Sequence, residues 1–183
     1  MSRLLPLLSF LLALLAALLV VRVVRGGGVG GGPLVIQSVF FVEKSENKNQ
    51  VHYGIRLDEA CAPIGESPVF AYWRMLERGP LATEPLLSRE VPAYGLKQQR
   101  VTRDERGGRV LATLNAMPAR SIAIESAPDE GTCTVRARTI IRGVPAALTS
   151  VFVQLKWPFG VDHLVLVGHA IKDGCLVRER ISQ

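Results

Sequence analysis

Hydrophobic and polar positions along this chain follow two regimes. From Leu4 to Val21 the chain is apolar and carries no charge. A helix of that length spans about 27 Å, close to the hydrocarbon thickness of a bilayer. Beyond Pro33 the period changes to two, and turn residues punctuate the alternation. Nine strands follow from it, over residues 37–44, 51–58, 68–76, 109–115, 120–126, 134–142, 148–157, 163–172 and 175–181. The second alternates cleanly, with Val51, Tyr53, Ile55 and Leu57 on one face and His52, Gly54, Arg56 and Asp58 on the other. In the third, Val69, Ala71, Trp73 and Met75 face one way and Phe70, Tyr72, Arg74 and Leu76 the other. Both of its faces are partly apolar, which predicts a central strand covered on both sides. Residues 83–94 are the one helical candidate, with Thr83 as cap, Pro92 ending it and Gly95 closing it. Asp173-Gly174 between two alternating runs predicts a hairpin with a two-residue primed turn. The pattern as a whole is mainly β. It predicts an antiparallel sandwich or barrel of about nine short strands with at most one short helix, preceded by an N-terminal apolar helix.

The chain divides accordingly. Residues 1–25 form a signal peptide or a membrane anchor, residues 26–33 a Gly-rich linker, and residues 34–183 a single β-rich domain. No clean small-x-small cleavage site follows the apolar run, and the amino terminus with Arg3 on one side nearly balances Arg22 and Arg25 on the other, so cleavage and orientation stay open. Gly26, Gly28 and Gly31 match a dinucleotide-type spacing, but that motif needs a strand before it and a helix after it. The leader predicts export, to a periplasmic or extracellular space, as a secreted or an anchored protein. It also accounts for about half of the formal net charge of +6, and the remainder gives no case for a nucleic-acid partner. The 3 cysteines, Cys61, Cys133 and Cys175, have no metal-binding spacing. An oxidising compartment favours a single disulfide among them, and the sequence does not choose the pair.

Motifs for catalysis are missing. There is no G-x-S-x-G, H-E-x-x-H or P-loop, and His52, His163 and His169 are scattered, so no metal, no cofactor and no catalytic residue is assigned. Two basic features stand out. Lys97, Arg100, Arg103, Arg106 and Arg109 recur every third residue, and Arg136, Arg138 and Arg142 share one strand parity. Each reads as a solvated surface, or else as a contact for lipid headgroups or an acidic polysaccharide. The constellation singled out for ligand binding is polar and aromatic: Asn47, Asn49 and Tyr53 near the first hairpin, Tyr72, Trp73, Arg74 and Glu77 around the third strand, and Tyr94. Tyrosine and tryptophan bring rigid area with a hydrogen-bonding tip, and arginine brings a planar fork for an anion. The bland alternative is that the rings fill core and Arg74–Glu77 is a structural ion pair.

At these residues a resemblance emerges. The stretch from Phe40 to Tyr53, then Leu57-Asp58, then Pro68 to Glu77, and later Ala93-Tyr94-Gly95 resemble an uncharacterised domain family of exported bacterial proteins, catalogued as a domain of unknown function. The resemblance covers most of residues 37–182. It implies a secreted or periplasmic β-rich domain and supplies no activity, cofactor or site residue. The expected function is therefore an extracytoplasmic domain that binds a small or lipid-like ligand, or an envelope protein, without catalysis. Membrane contact would come through the N-terminal segment if it is retained. One alternative is a cell-envelope enzyme acting on an anionic or sugar substrate, with Arg74 holding the anion, Glu77 as acid or base, and Tyr72 and Tyr94 as positioning groups. Another is a structural module of the envelope.

Overall fold

The structure, a computed structural model, describes residues 35–44, 48–104, 107–156 and 160–182. The leader, the linker, Asn47, Arg106 and the segment 157–159 lie outside the described residues. Eleven strands follow in order: β1 (Val35–Lys44), β2 (Gln50–Leu57), β3 (Val69–Arg74), β4 (Thr83–Pro85), β5 (Leu96–Asp104), β6 (Gly107–Leu114), β7 (Met117–Asp129), β8 (Thr132–Ile141), β9 (Val144–Leu155), β10 (Val161–Ala170) and β11 (Leu176–Ser182). Among the described residues, helix is confined to one α turn, α1 (Val91–Tyr94), and one 3-10 turn, Leu76–Arg78. Among the described residues no helix is long and apolar enough to cross a membrane.

The mainly β expectation holds, and its finer form is corrected. All strands belong to one open mixed sheet in the order β4-β3-β2-β1-β9-β8-β7-β6-β5, and β10 and β11 branch from β9. The long strand β9 is the junction. Its first half pairs with β8 (Ala147 opposite Arg138), and its second half pairs with β1 in parallel (Ser150 opposite Phe41). Its other edge runs antiparallel to β10 from Ala146 to Leu155. Among the described residues the β1–β9 pair is the single parallel ladder; the other strand pairs are antiparallel.

Two strands were not anticipated. β5 carries Lys97, Arg100 and Arg103 of the every-third-residue basic run, which hides a period of two because both faces of this edge strand are largely polar. Charged edge strands resist pairing with other chains, so such a composition is ordinary at a sheet margin. β4 takes the first three residues of the expected helix 83–94, and Pro92 stands inside the first turn of α1 rather than ending it. β3 is second from the sheet margin rather than central, flanked on one side by three residues of β4. The hairpin at Asp173-Gly174 exists, but its loop is longer than two residues, since the Gly174 N–H reaches the Ala170 carbonyl and only Gly174 has positive φ. True two-residue turns with positive φ at both positions occur at Glu130-Gly131 and Arg142-Gly143, where the adjoining pairs are Asp129–Thr132 and Ile141–Val144.

The sheet curls around one apolar core. Val51, Tyr53, Ile55 and Leu57 from β2 are fully buried, as are Val110, Ile122, Ile124, Ile141, Val151 and Leu166 from the other arm. What brings the two ends together is a seam of side chains, not a backbone ladder. On β5, the Gln99 amide accepts from the Val69 N–H at 3.0 Å and donates to the Val69 carbonyl at 2.8 Å, imitating a strand partner for β3. Arg103 donates to the Pro63 and Gly65 carbonyls at 2.7 and 2.6 Å. Gly108 lets Pro63 approach so closely that a Cβ at that position would lie 2.1 Å from the proline ring. A disulfide between Cys61 and Cys133 completes the seam, with Cα atoms 5.4 Å apart, and Cys175 stays a free, exposed thiol. Asp58 shapes the turn that presents Cys61: its carboxylate accepts from the Ala60 and Ala62 N–H groups at 3.0 and 2.8 Å. Cys61 itself takes the left-handed conformation, with φ of 63°.

The bridge closes a loop of 72 residues. Chain entropy then assigns it about 4 kcal/mol of stabilisation. Reducing the bridge, or replacing both cysteines in a Cys61→Ala/Cys133→Ala variant, is expected to lower Tm by about 10 °C in a calorimetric scan. The Cys175→Ser variant is expected to melt with the parent.

Candidate functional site

Alternation along β3 sends neighbouring candidates to opposite sides of the sheet. Trp73 turns inward with Val69 and Ala71, whereas Phe70, Tyr72 and Arg74 lie on the outer face. The expected constellation is therefore two groups of residues, not one.

The inner group is continuous. Tyr53 is fully buried, stacked on Phe40 at 4.4 Å between ring centroids, and its hydroxyl donates to the Tyr94 carbonyl at 2.6 Å. Burial, and then Tyr94, hold its phenol un-ionised far above the ordinary tyrosine range. Tyr94 is 4% exposed and meets Trp73 edge-on at 5.5 Å. Tyr94 thus supports Trp73 from behind, Tyr53 holds Tyr94, and neither is open to solvent. The Trp73 indole N–H donates to the Glu90 carboxylate at 2.9 Å. The same carboxylate oxygen accepts from the Leu87 N–H at 2.8 Å, which fixes the segment joining β4 to α1 across the tryptophan.

In front of Trp73 opens a cleft of ≈ 240 Å³. Its apolar walls come from Met75, Pro85 and Leu87. Polar walls come from Asn49, Glu84, Arg89 and Glu90. Asn49 is buried at the margin and meets Glu77 through two long contacts, from its amide nitrogen to the Glu77 carboxylate at 3.4 Å and from the Glu77 N–H to its amide oxygen at 3.3 Å. Glu84 is paired with the exposed Arg78. Sequence reading missed Glu84, Arg89 and Glu90. A signal for Glu84 was present, because Trp73 lies directly opposite it in the β3–β4 register, but seeing it required the unrecognised strand β4.

On the outer face the centre is His52, only 5% exposed. Phe41 stacks on its imidazole at 5.4 Å and Tyr72 tilts against it at 5.8 Å, so neighbouring strands roof a histidine that no second layer covers. Phe70 continues the row at 5.7 Å from Tyr72, with the Arg56 guanidinium 4.4 Å above its ring. Ser38 lies 2.9 Å from Nδ1 and the Gln50 amide oxygen 3.0 Å from Nε2. Both contacts are satisfied by a neutral ring whose Nε2–H donates to Gln50 and whose Nδ1 accepts from the Ser38 hydroxyl. Burial first, and the positive charge of Arg74 second, lower the His52 pKa from 6.5 to about 4. Arg74 itself donates from Nε to the Pro80 carbonyl at 3.2 Å. The ion pair considered for Arg74 and Glu77 is thus replaced by separate partners. Among the described residues no group of three His, Cys, Asp or Glu could hold a metal ion.

A protein-family model described as a domain of unknown function, DUF4833, matches residues 40–180. No curated protein and no solved structure matches the chain.

His52 sets a pH dependence. The unfolded chain takes up a proton at this ring as pH falls through 6.5, and the folded state resists until about 4. Stability from this group is complete above pH 6.5 and declines as pH drops towards 4. In scanning fluorimetry the parent is expected to lose more Tm between pH 7.5 and 4.5 than a His52→Phe variant, by about 3 °C or more. Equal losses would remove His52 as the origin.

Proposed function

The chain belongs to the DUF4833 family, a domain of unknown function, and on that premise we propose that it is a binding domain that holds a small polar ligand in the Trp73 cleft without chemically altering it. The observation that carries the reading is the anchoring of Trp73. A large aromatic side chain flanks an open cleft, is supported from behind by Tyr94, and has its indole nitrogen fixed by Glu90. Rigid aromatic area beside hydrogen-bonding groups is what ring-shaped polar ligands require. At ≈ 240 Å³ the cleft suits one such ring and is small for a lipid chain. Asn49, Arg89 and Glu90 supply donors and acceptors, while Met75 and Leu87 supply the apolar side.

The enzymatic alternative finds less support, because its proposed anion holder Arg74 lies on the outer face with His52 while Glu77 engages Asn49. Export is part of the proposal. A disulfide joining segments distant in sequence supports an oxidising compartment, and the apolar leader supports the route to it.

The test is native mass spectrometry of the full chain, extracted mildly from its own host. The expected result is a small-molecule adduct on the parent that is lost in the Trp73→Ala variant while Tm stays within about 5 °C. An adduct-free parent, or an adduct that survives Trp73→Ala, overturns the reading.

A further inference from the structure

The two basic features of the sequence, separated by about 30 residues, are brought onto a single face by the strand register. Thr102 on β5 lies opposite Arg109 on β6, Arg109 opposite Glu125 on β7, and Glu125 opposite Arg136 on β8. Two residues along the strands, Arg100 lies opposite Leu111, Leu111 opposite Ala123, and Ala123 opposite Arg138. Directly opposed residues point to the same face of a sheet. The partners on the other face are the core residues Val110, Ile124 and Ala137, so the arginines project outward. Arg100, Arg109 and Arg136 are exposed, and Arg138 is half-buried. Arg109 and Arg136 therefore flank Glu125, Arg138 pairs with it, Arg100 stands two strands away on the same face, and Asp129 lies further along β7. Glu125 reaches only Arg138, at 3.2 Å, and no ion pair among the described residues involves Arg100, Arg109 or Arg136.

We propose that this outer face of β5–β8 is a docking surface for an anionic polysaccharide, a chain bearing carboxylates along its length. Charge complementarity supplies the attraction, and the composition of the face selects the class of partner. The four strands contain no Phe, Tyr or Trp, so there is nothing on which the bases of a single-stranded nucleic acid would stack. Ile140 is the only large exposed hydrophobic of these strands among the described residues, so the face lacks the insertable apolar side chains of a membrane-binding surface. What remains is a field of arginine forks spaced by Leu111, Ala123 and Glu125, with the hydroxyls of Thr102 and Thr113 at its margins. Adjacent strands are about 4.8 Å apart, so Arg109 and Arg136, on either side of Glu125, stand about 10 Å apart, which suits every second charge of an extended polyuronate. The Trp73 cleft is built from β3, β4 and the segment leading to α1, and the two sites share no residue.

Isothermal titration of the full chain with polygalacturonate at 50 mM salt tests the proposal. Parent binding is expected, weakening at least fivefold at 200 mM salt because bound counterions are released on association. The Arg109→Gln/Arg136→Gln variant is expected to bind at least fivefold more weakly at unchanged Tm. The Glu125→Gln variant, which removes the carboxylate between Arg109 and Arg136, is expected to bind more tightly. Trp73→Ala is expected to leave this affinity unchanged, so failure of the cleft and failure of this face are read separately. The proposal is overturned if the parent does not bind, or if the double arginine variant binds like the parent. It is also overturned if vesicles with 30% phosphatidylglycerol capture the parent through these arginines while polygalacturonate does not.

Discussion

The architecture depends on closing a sheet that has no complete ladder with which to close. An open sheet of this size must cover the apolar face of both arms, and here each arm covers the other. That requires β5 and β3 to stay together, which they do through the Gln99 amide, the Arg103 guanidinium and the Cys61–Cys133 bridge. A side-chain amide that pairs with one residue's N–H and C=O satisfies backbone groups that would otherwise be buried unpaired, at a net value of about 1 kcal/mol per bond. The covalent bridge is worth several times that by its restriction of the unfolded chain. The polar contacts define the seam, and the disulfide supplies most of its strength.

Around this closure the molecule separates into functional territories. The inner side of β3 and the segment that folds back from β4 make an aromatic-walled cleft. The outer side of β1–β3 is sealed by its own rings around a neutral His52. The outer side of β5–β8 is charged and free of aromatics. One strand can serve two of these territories because its side chains alternate: Trp73 belongs to the cleft, and Tyr72 to the roof over His52.

How much of this could be read from the chain varies with how local the cause is. β2 was legible residue by residue, because a strand with one face in the core writes its period directly into the sequence. β5 was not, because an edge strand with polar residues on both sides leaves no such mark. The parallel joint between Phe41 and Ser150 was also hidden, since nothing near either residue specifies a partner so distant. For the disulfide, the chain limited the choice to three pairs, and only the turn held by Asp58 reveals why Cys61 meets Cys133. Among the candidate ligand residues, the separation of Trp73 from Tyr72 and Arg74 followed from their parity alone. The contribution of Glu90 did not, because it arises from the fold of a loop.

The position of β9 has a consequence for the order in which the molecule can assemble. β1 to β3 can form a meander as soon as they leave the ribosome, but the far margin of β1 receives its neighbour only when β9 arrives, about a hundred residues later. Until then Phe41 and Val42 sit on an open strand margin in a growing chain, a template for wrong partners. Formation of that joint is a long-range event with a high entropic barrier, so productive maturation is expected to be slow and to benefit from a chaperone that shields the first three strands.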